Sequence, residues 1–127
     1  MARSGSVIGW KLDRGDREEL LHRFPPRYTD AIADHVTLKS NAKRDPLPPP
    51  IAAQVVGRAD DGDSLEAMVV TVDGTVDRPD GSIFHITWSI DKSKGRTANE
   101  SNDLLQARGW VRFDEPIPVK VAPARFP

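Results

Sequence analysis

Short apolar runs alternate along the chain with polar, turn-rich connections, and most of the runs carry the period-two pattern of a strand. Ser6-Val7-Ile8-Gly9-Trp10-Lys11-Leu12 reads as a first strand ending at Asp13. Asp13 can cap a helix whose early turns carry Asp16, Glu18 and Glu19 and whose buried side is Leu20, Leu21 and Phe24. Pro25-Pro26 stops it. Residues 31–38 read as a second strand, with Ile32, Asp34, Val36 and Leu38 on one face and Ala33, His35, Thr37 and Lys39 on the other. A polar, proline-rich surface loop follows over residues 40–50.

Residues 53–59 and 65–72 read as paired strands, joined by Asp60-Asp61-Gly62-Asp63, which has hairpin chemistry. Arg78-Pro79-Asp80-Gly81 is another strong turn. Residues 82–90 form a β-rich strand with Ile83, His85, Thr87 and Ser89 on one face and Phe84, Ile86, Trp88 and Ile90 on the other. Residues 91–100 are a polar loop. Residues 101–109 have a helix's cap and terminal glycine, and residues 111–121 make one proline-interrupted edge strand. The order predicts an α+β domain built on antiparallel pairing.

Composition narrows this picture without changing it. A length of 127 residues fits one domain, 1–127, and 38% hydrophobic with 29% charged residues is the balance of an ordinary globular protein. The net charge of −1 argues against a duplex-DNA partner, yet leaves room for a local positive pocket. With no cysteine there is no disulfide, no thiolate nucleophile and no Cys-ligated metal. The start of the chain lacks a signal peptide's apolar core and no run reaches membrane-spanning length, so the expected setting is cytoplasmic and off the membrane.

The chemistry lies in the histidines. There are three, and two of them sit in the pattern His-apolar-Thr-apolar, each inside a predicted strand that puts His and Thr side by side. Hydrolysis of a phosphodiester needs a proton taken from water and another given to the departing alkoxide, and two imidazoles can divide those jobs at neutral pH. A threonine two residues on can donate to a non-bridging phosphate oxygen. Two His-Thr pairs therefore make a minimal site, with His35 and His85 catalytic and Thr37 and Thr87 binding phosphate. His22, with no motif, reads as a solvated helix residue.

His35-Val36-Thr37-Leu38 and His85-Ile86-Thr87-Trp88 resemble the two H-x-[S/T]-x motifs of the 2H phosphoesterases. That family includes RNA 2′,3′-cyclic phosphodiesterases and the cyclic-phosphodiesterase domains of tRNA ligases. The resemblance spans residue 6 to about residue 90. It implies two pseudo-symmetric lobes of antiparallel sheet, each presenting one motif, with few helices. The short stretch between the motifs implies a reduced second lobe. It further implies a metal-free, cofactor-free reaction that opens a 2′,3′-cyclic phosphate at an RNA 3′ end or on a nucleotide, leaving a 2′-phosphate. His35 is then taken as the acid and His85 as the base.

Other residues extend the candidate site. Lys39 and Ser89 continue the two motif faces, Tyr28 and Trp10 are candidates for stacking a base, and Arg96, with Lys94, lies in a basic loop able to clamp a phosphate. Phe84 and Trp88, opposite His85, read as core. Residues 60–63 lack the full calcium-loop pattern, and two histidines with Asp34 on the opposite face leave a zinc ion short of a third ligand. Alternative activities are the opening of another cyclic phosphodiester, such as a cyclic oligonucleotide signal or a cyclic ADP-ribose phosphate. Non-catalytic binding of an RNA end or cyclic nucleotide, and a purely structural adaptor, complete the set. A monomer is expected.

Overall fold

The computed structural model describes residues 6–126, so the stretch read as lacking a leader's apolar core lies, for residues 1–5, outside the described residues. The element order is β1 (Val7–Leu12), α1 (Arg14–Arg23), β2 (Asp30–Ala31), β3 (His35–Lys39), β4 (Ala53–Asp60), β5 (Leu65–Val72), β6 (His85–Ile90), α2 (Ser101–Arg108), β7 (Val111–Val119) and β8 (Val121–Phe126). Two short 3-10 turns, Lys92–Lys94 and Ala98–Glu100, occupy the segment read as loop. The strands form two antiparallel sheets, ordered β3-β1-β8 and β2-β6-β5-β4-β7. The described residues are α+β, with two α-helices.

Two segments read as single strands are each divided between the sheets. The first is residues 31–38. Its leading part runs beside β6, with Ile32 N–H donating to Trp88 O and Ala33 N–H to Thr87 O, both at 2.9 Å. Ala33 then takes φ 42°, a left-handed conformation uncommon outside glycine, and turns the chain away. Leu12 N–H donates to Asp34 O at 3.0 Å, and from His35 onward the chain pairs with β1. The second is residues 111–121, where Lys120 interrupts the ladder and the chain runs on past the expected end, to Phe126, as a strand the sequence does not announce. The Lys120 N–H donates to Asp16 Oδ2 at 2.7 Å and its carbonyl accepts from Asp13 N–H at 2.9 Å. The chain leaves β4 as β7 and joins β1 as β8.

Between the three-stranded sheet with α1 and one face of the five-stranded sheet lies the larger core, including Trp10, Leu12, Val36, Met68, Ile86 and Trp88. The opposite face of the five-stranded sheet packs Val69 and Ile90 under Leu104 and Leu105 of α2. β5, central and covered on both sides, is buried along its whole length, its apolar residues joined by Glu66, which Arg58 and Ser89 satisfy, and by Thr71. The expected reduction of the second lobe does not show in its strands. The second motif stands on the larger sheet, because the β4–β5 hairpin pairs beside it and β7 returns to widen it.

Asp13 caps α1, its carboxylate accepting from Asp16 N–H at 3.1 Å. Asp60-Asp61-Gly62-Asp63 is the hairpin turn the sequence implies, with Gly62 at φ 77°. Asp61 accepts from the N–H groups of Asp63, Ser64 and Leu65. Burial works to raise the Asp61 pKa, but these amides and Arg96 overcome it and hold it at about 2.

Candidate functional site

His35 opens β3 and His85 opens β6, so the two motifs start at neighbouring points on either side of the seam between the sheets. A cavity of about 190 Å³ lies there. Its lining includes both histidines and both threonines, together with Asp34, Arg78, Asn102 and Phe126. None of four further cavities among the described residues is lined by a histidine.

Each imidazole is anchored through Nδ1. That of His35 lies 2.9 Å from Asp34 Oδ2, and that of His85 lies 2.8 Å from Ile83 O. An ionised carboxylate and a backbone carbonyl only accept, so both rings carry hydrogen on Nδ1. Nε2 is then the nitrogen each ring has left for a ligand. The His35 ring also stacks on Phe126, with centroids 4.0 Å apart and planes 20° from parallel. Asp34 is itself held by Arg14 at 2.8 Å. Burial works to raise its pKa, and the hydrogen bonds from His35 and Arg14 outweigh that and keep it ionised.

The sequence puts Asp34 on the face opposite His35, and the structure corrects this. Strand alternation does not reach Asp34, because the corner at Ala33 intervenes and β3 begins one residue later. The carboxylate thereby becomes the partner of the imidazole.

His85 sits in a different field. Burial, then the charges of Arg78 and His35, push its pKa below the ordinary imidazole value against the raising effects of Ile83 O and Asp80. Near neutrality its Nε2 carries a lone pair.

The two threonines are not equivalent. Thr37 is half-buried and its hydroxyl makes no hydrogen bond among the described residues. The Thr87 hydroxyl lies 2.8 Å from Ser101 Oγ and donates to Ala98 O at 3.2 Å. With its one proton given to Ala98 it has none left for a phosphate oxygen.

The remaining candidates all lie outside the cavity. Lys39 is exposed and paired with Asp45 at 2.5 Å. Ser89 is fully buried and donates to the buried carboxylate of Glu66 at 2.6 Å, because a register shift in the β5–β6 ladder separates it from the motif. Tyr28 donates to Asp60 at 2.5 Å, and Trp10 is 2% exposed, donating to Pro49 O at 2.9 Å. Arg96 is tied to Asp61, Ser64 and Glu100 on the α2 side, and Lys94 pairs with Asp63. Phe84 and Trp88 are core, and His22 is exposed.

The sequence reading passes over Arg78, Asn102 and Phe126. Arg78 comes from the turn before β6, Asn102 from the first turn of α2 and Phe126 from the end of β8. None lies in a repeated pattern, and only the seam brings them together.

No protein-family model, no curated protein and no solved structure matches this chain. Among the described residues no group of three or more His, Asp or Glu side chains is placed to hold a metal ion. None of their helices is long and apolar enough to cross a membrane.

Proposed function

We propose that the protein is a phosphodiesterase of the 2H type, opening a 2′,3′-cyclic phosphate on a nucleotide or at an RNA end by acid–base catalysis between His35 and His85. The observation that carries this reading is the single cavity lined by two Nδ1-anchored imidazoles from different sheets. His85, neutral near pH 7, takes a proton from the attacking water at Nε2. His35, with Asp34 balancing a positive ring, gives a proton from Nε2 to the leaving ribose oxygen. Water adds to phosphorus, the bond to O3′ breaks, and a 2′-phosphate remains. Thr37 donates to a non-bridging oxygen. These groups do the work without calling on a metal ion, so EDTA should leave turnover unchanged.

The test is turnover of 2′,3′-cyclic nucleotides and of a cyclic-phosphate RNA end, with products resolved by phosphorus NMR. His35→Ala and His85→Ala should each lose about 10²–10⁴-fold in kcat. Wild-type rates in both variants would overturn the proposal. One observation favours binding without turnover, namely that Thr87 gives its proton to Ala98. That reading predicts a wild-type protein that holds the cyclic nucleotide and returns it intact.

A further inference from the structure

Arg78 is 7% exposed and lines the cavity, yet most of its donors are unused. Its Nε–H donates to Leu38 O on β3 at 3.0 Å, and Nη1 reaches Ser82 Oγ at a long 3.4 Å. Asp80 stands 3.6 Å from Nη2, too far for a hydrogen bond. Nη2, which keeps only a long ion pair to Asp80, and one N–H of Nη1 are therefore without a hydrogen bond among the described residues. A guanidinium presents its donors as a planar fork that matches phosphate oxygens.

Asn102, on the same wall, makes no side-chain hydrogen bond among the described residues, so both N–H groups of its amide are left to donate to an anion, while its Oδ1, an acceptor, is buried without a partner. Leaving a buried amide unsatisfied is unfavourable, and folding gains nothing visible from it. A phosphoryl oxygen accepts, so it would be held by the amide N–H groups and not by Oδ1.

We infer that Arg78 and Asn102 form the anion-binding wall of the cavity, holding the non-bridging phosphoryl oxygens of the substrate in the role that Thr87 has given up to Ala98. This rests on the phosphodiesterase reading for its substrate. The anion site itself is measurable without turnover.

The experiment is calorimetric titration of inorganic phosphate into the wild type and into Arg78→Gln, Arg78→Lys, Asp80→Asn and Asn102→Ala, each with its thermal midpoint. The wild type should bind phosphate, and Arg78→Gln should weaken it at least tenfold. Arg78→Lys, which keeps the charge and loses the fork, should fall between. Asp80→Asn removes a competing carboxylate and should bind phosphate more tightly. Asn102→Ala should weaken binding while keeping or raising the thermal midpoint, the reverse of what a purely structural asparagine would do.

A folded Arg78→Gln with wild-type phosphate affinity overturns the inference, as does a wild type that binds no phosphate at millimolar concentration. Should Arg78→Gln not fold, weaker binding by Asp80→Asn or unchanged binding by Asn102→Ala overturns it instead. Phosphate binding with the expected variant pattern, but no hydrolysis of any cyclic phosphodiester, upholds the anion wall and removes the enzyme reading.

Discussion

The two imidazoles share a tautomer and differ in what lies behind it. A carboxylate supports His35, whereas a neutral carbonyl, burial and the charge of Arg78 surround His85. That asymmetry favours His85 for the proposed base role and predicts a pH profile. Protonation of its Nε2 abolishes the base, and its pKa lies below the ordinary imidazole value. On the acid side, kcat/KM should hold down to about pH 6.5 and fall only beneath it. An acid-side midpoint at or above that pH would count against the assignment.

Stability follows the same sign. The contribution of neutral His85 is complete above about pH 6.5 and is lost as the pH falls through the lower folded value, so His85→Gln should flatten urea midpoints measured between pH 7.5 and pH 5. Asp34→Asn, which keeps the shape and removes the charge, should lower kcat by up to about 10²-fold with little change in KM. The His-Thr pairs were legible in sequence because they repeat. Arg78 and Asn102 were not, since a turn arginine and a helix asparagine announce nothing until the fold faces them inward. Trp10 reads in sequence as a candidate for stacking a base, but it packs in the larger core against Phe84 and donates to Pro49 O, which strand alternation alone does not show.

Among the elements, β1 depends on one position for its contact with the first motif. Gly9 pairs with Thr37 at a register shift, and a Cβ there would stand 2.0 Å from Val36 O. No side-chain rotation relieves a clash with backbone. Gly9→Ala should therefore force β1 and β3 apart and destabilise the protein by about 1–3 kcal/mol, the usual range for overpacking, with the denaturant midpoint as the measure. Activity should fall further than the remaining folded fraction accounts for, because Thr37 and His35 move with β3. Period-two alternation located β3 and β6, apolar runs located β1, β4 and β5, and residues 122–126 of β8 were not read as strand at all. Neither pattern could show where residues 31–38 and 111–121 change sheets, because one crossing rests on an alanine in a glycine-like conformation and the other on a lysine held by the α1 cap.

For the molecule as a whole, the cavity is a property of the seam, since neither sheet holds a complete site. A ligand gripping both sides should stabilise the docked pair, and a hundredfold excess of phosphate over its Kd should add about 2.7 kcal/mol to unfolding. Hydrogen exchange at Ile32 and Ala33, whose amides cross to β6, should slow with it. Unchanged exchange at saturating phosphate would mean that the ligand touches one sheet alone.

The corner at Ala33 gives the protein the logic of a coincidence detector. The two imidazoles are mounted on separate sheets, and the corner between them lies one residue from the Asp34–His35 pair. On the proposed mechanism, slackening there would separate the two imidazoles while each sheet kept its own ladder. Under mild heat or denaturant, turnover should disappear before the β signal in circular dichroism does, which makes activity the finer gauge of whether the two sheets are engaged.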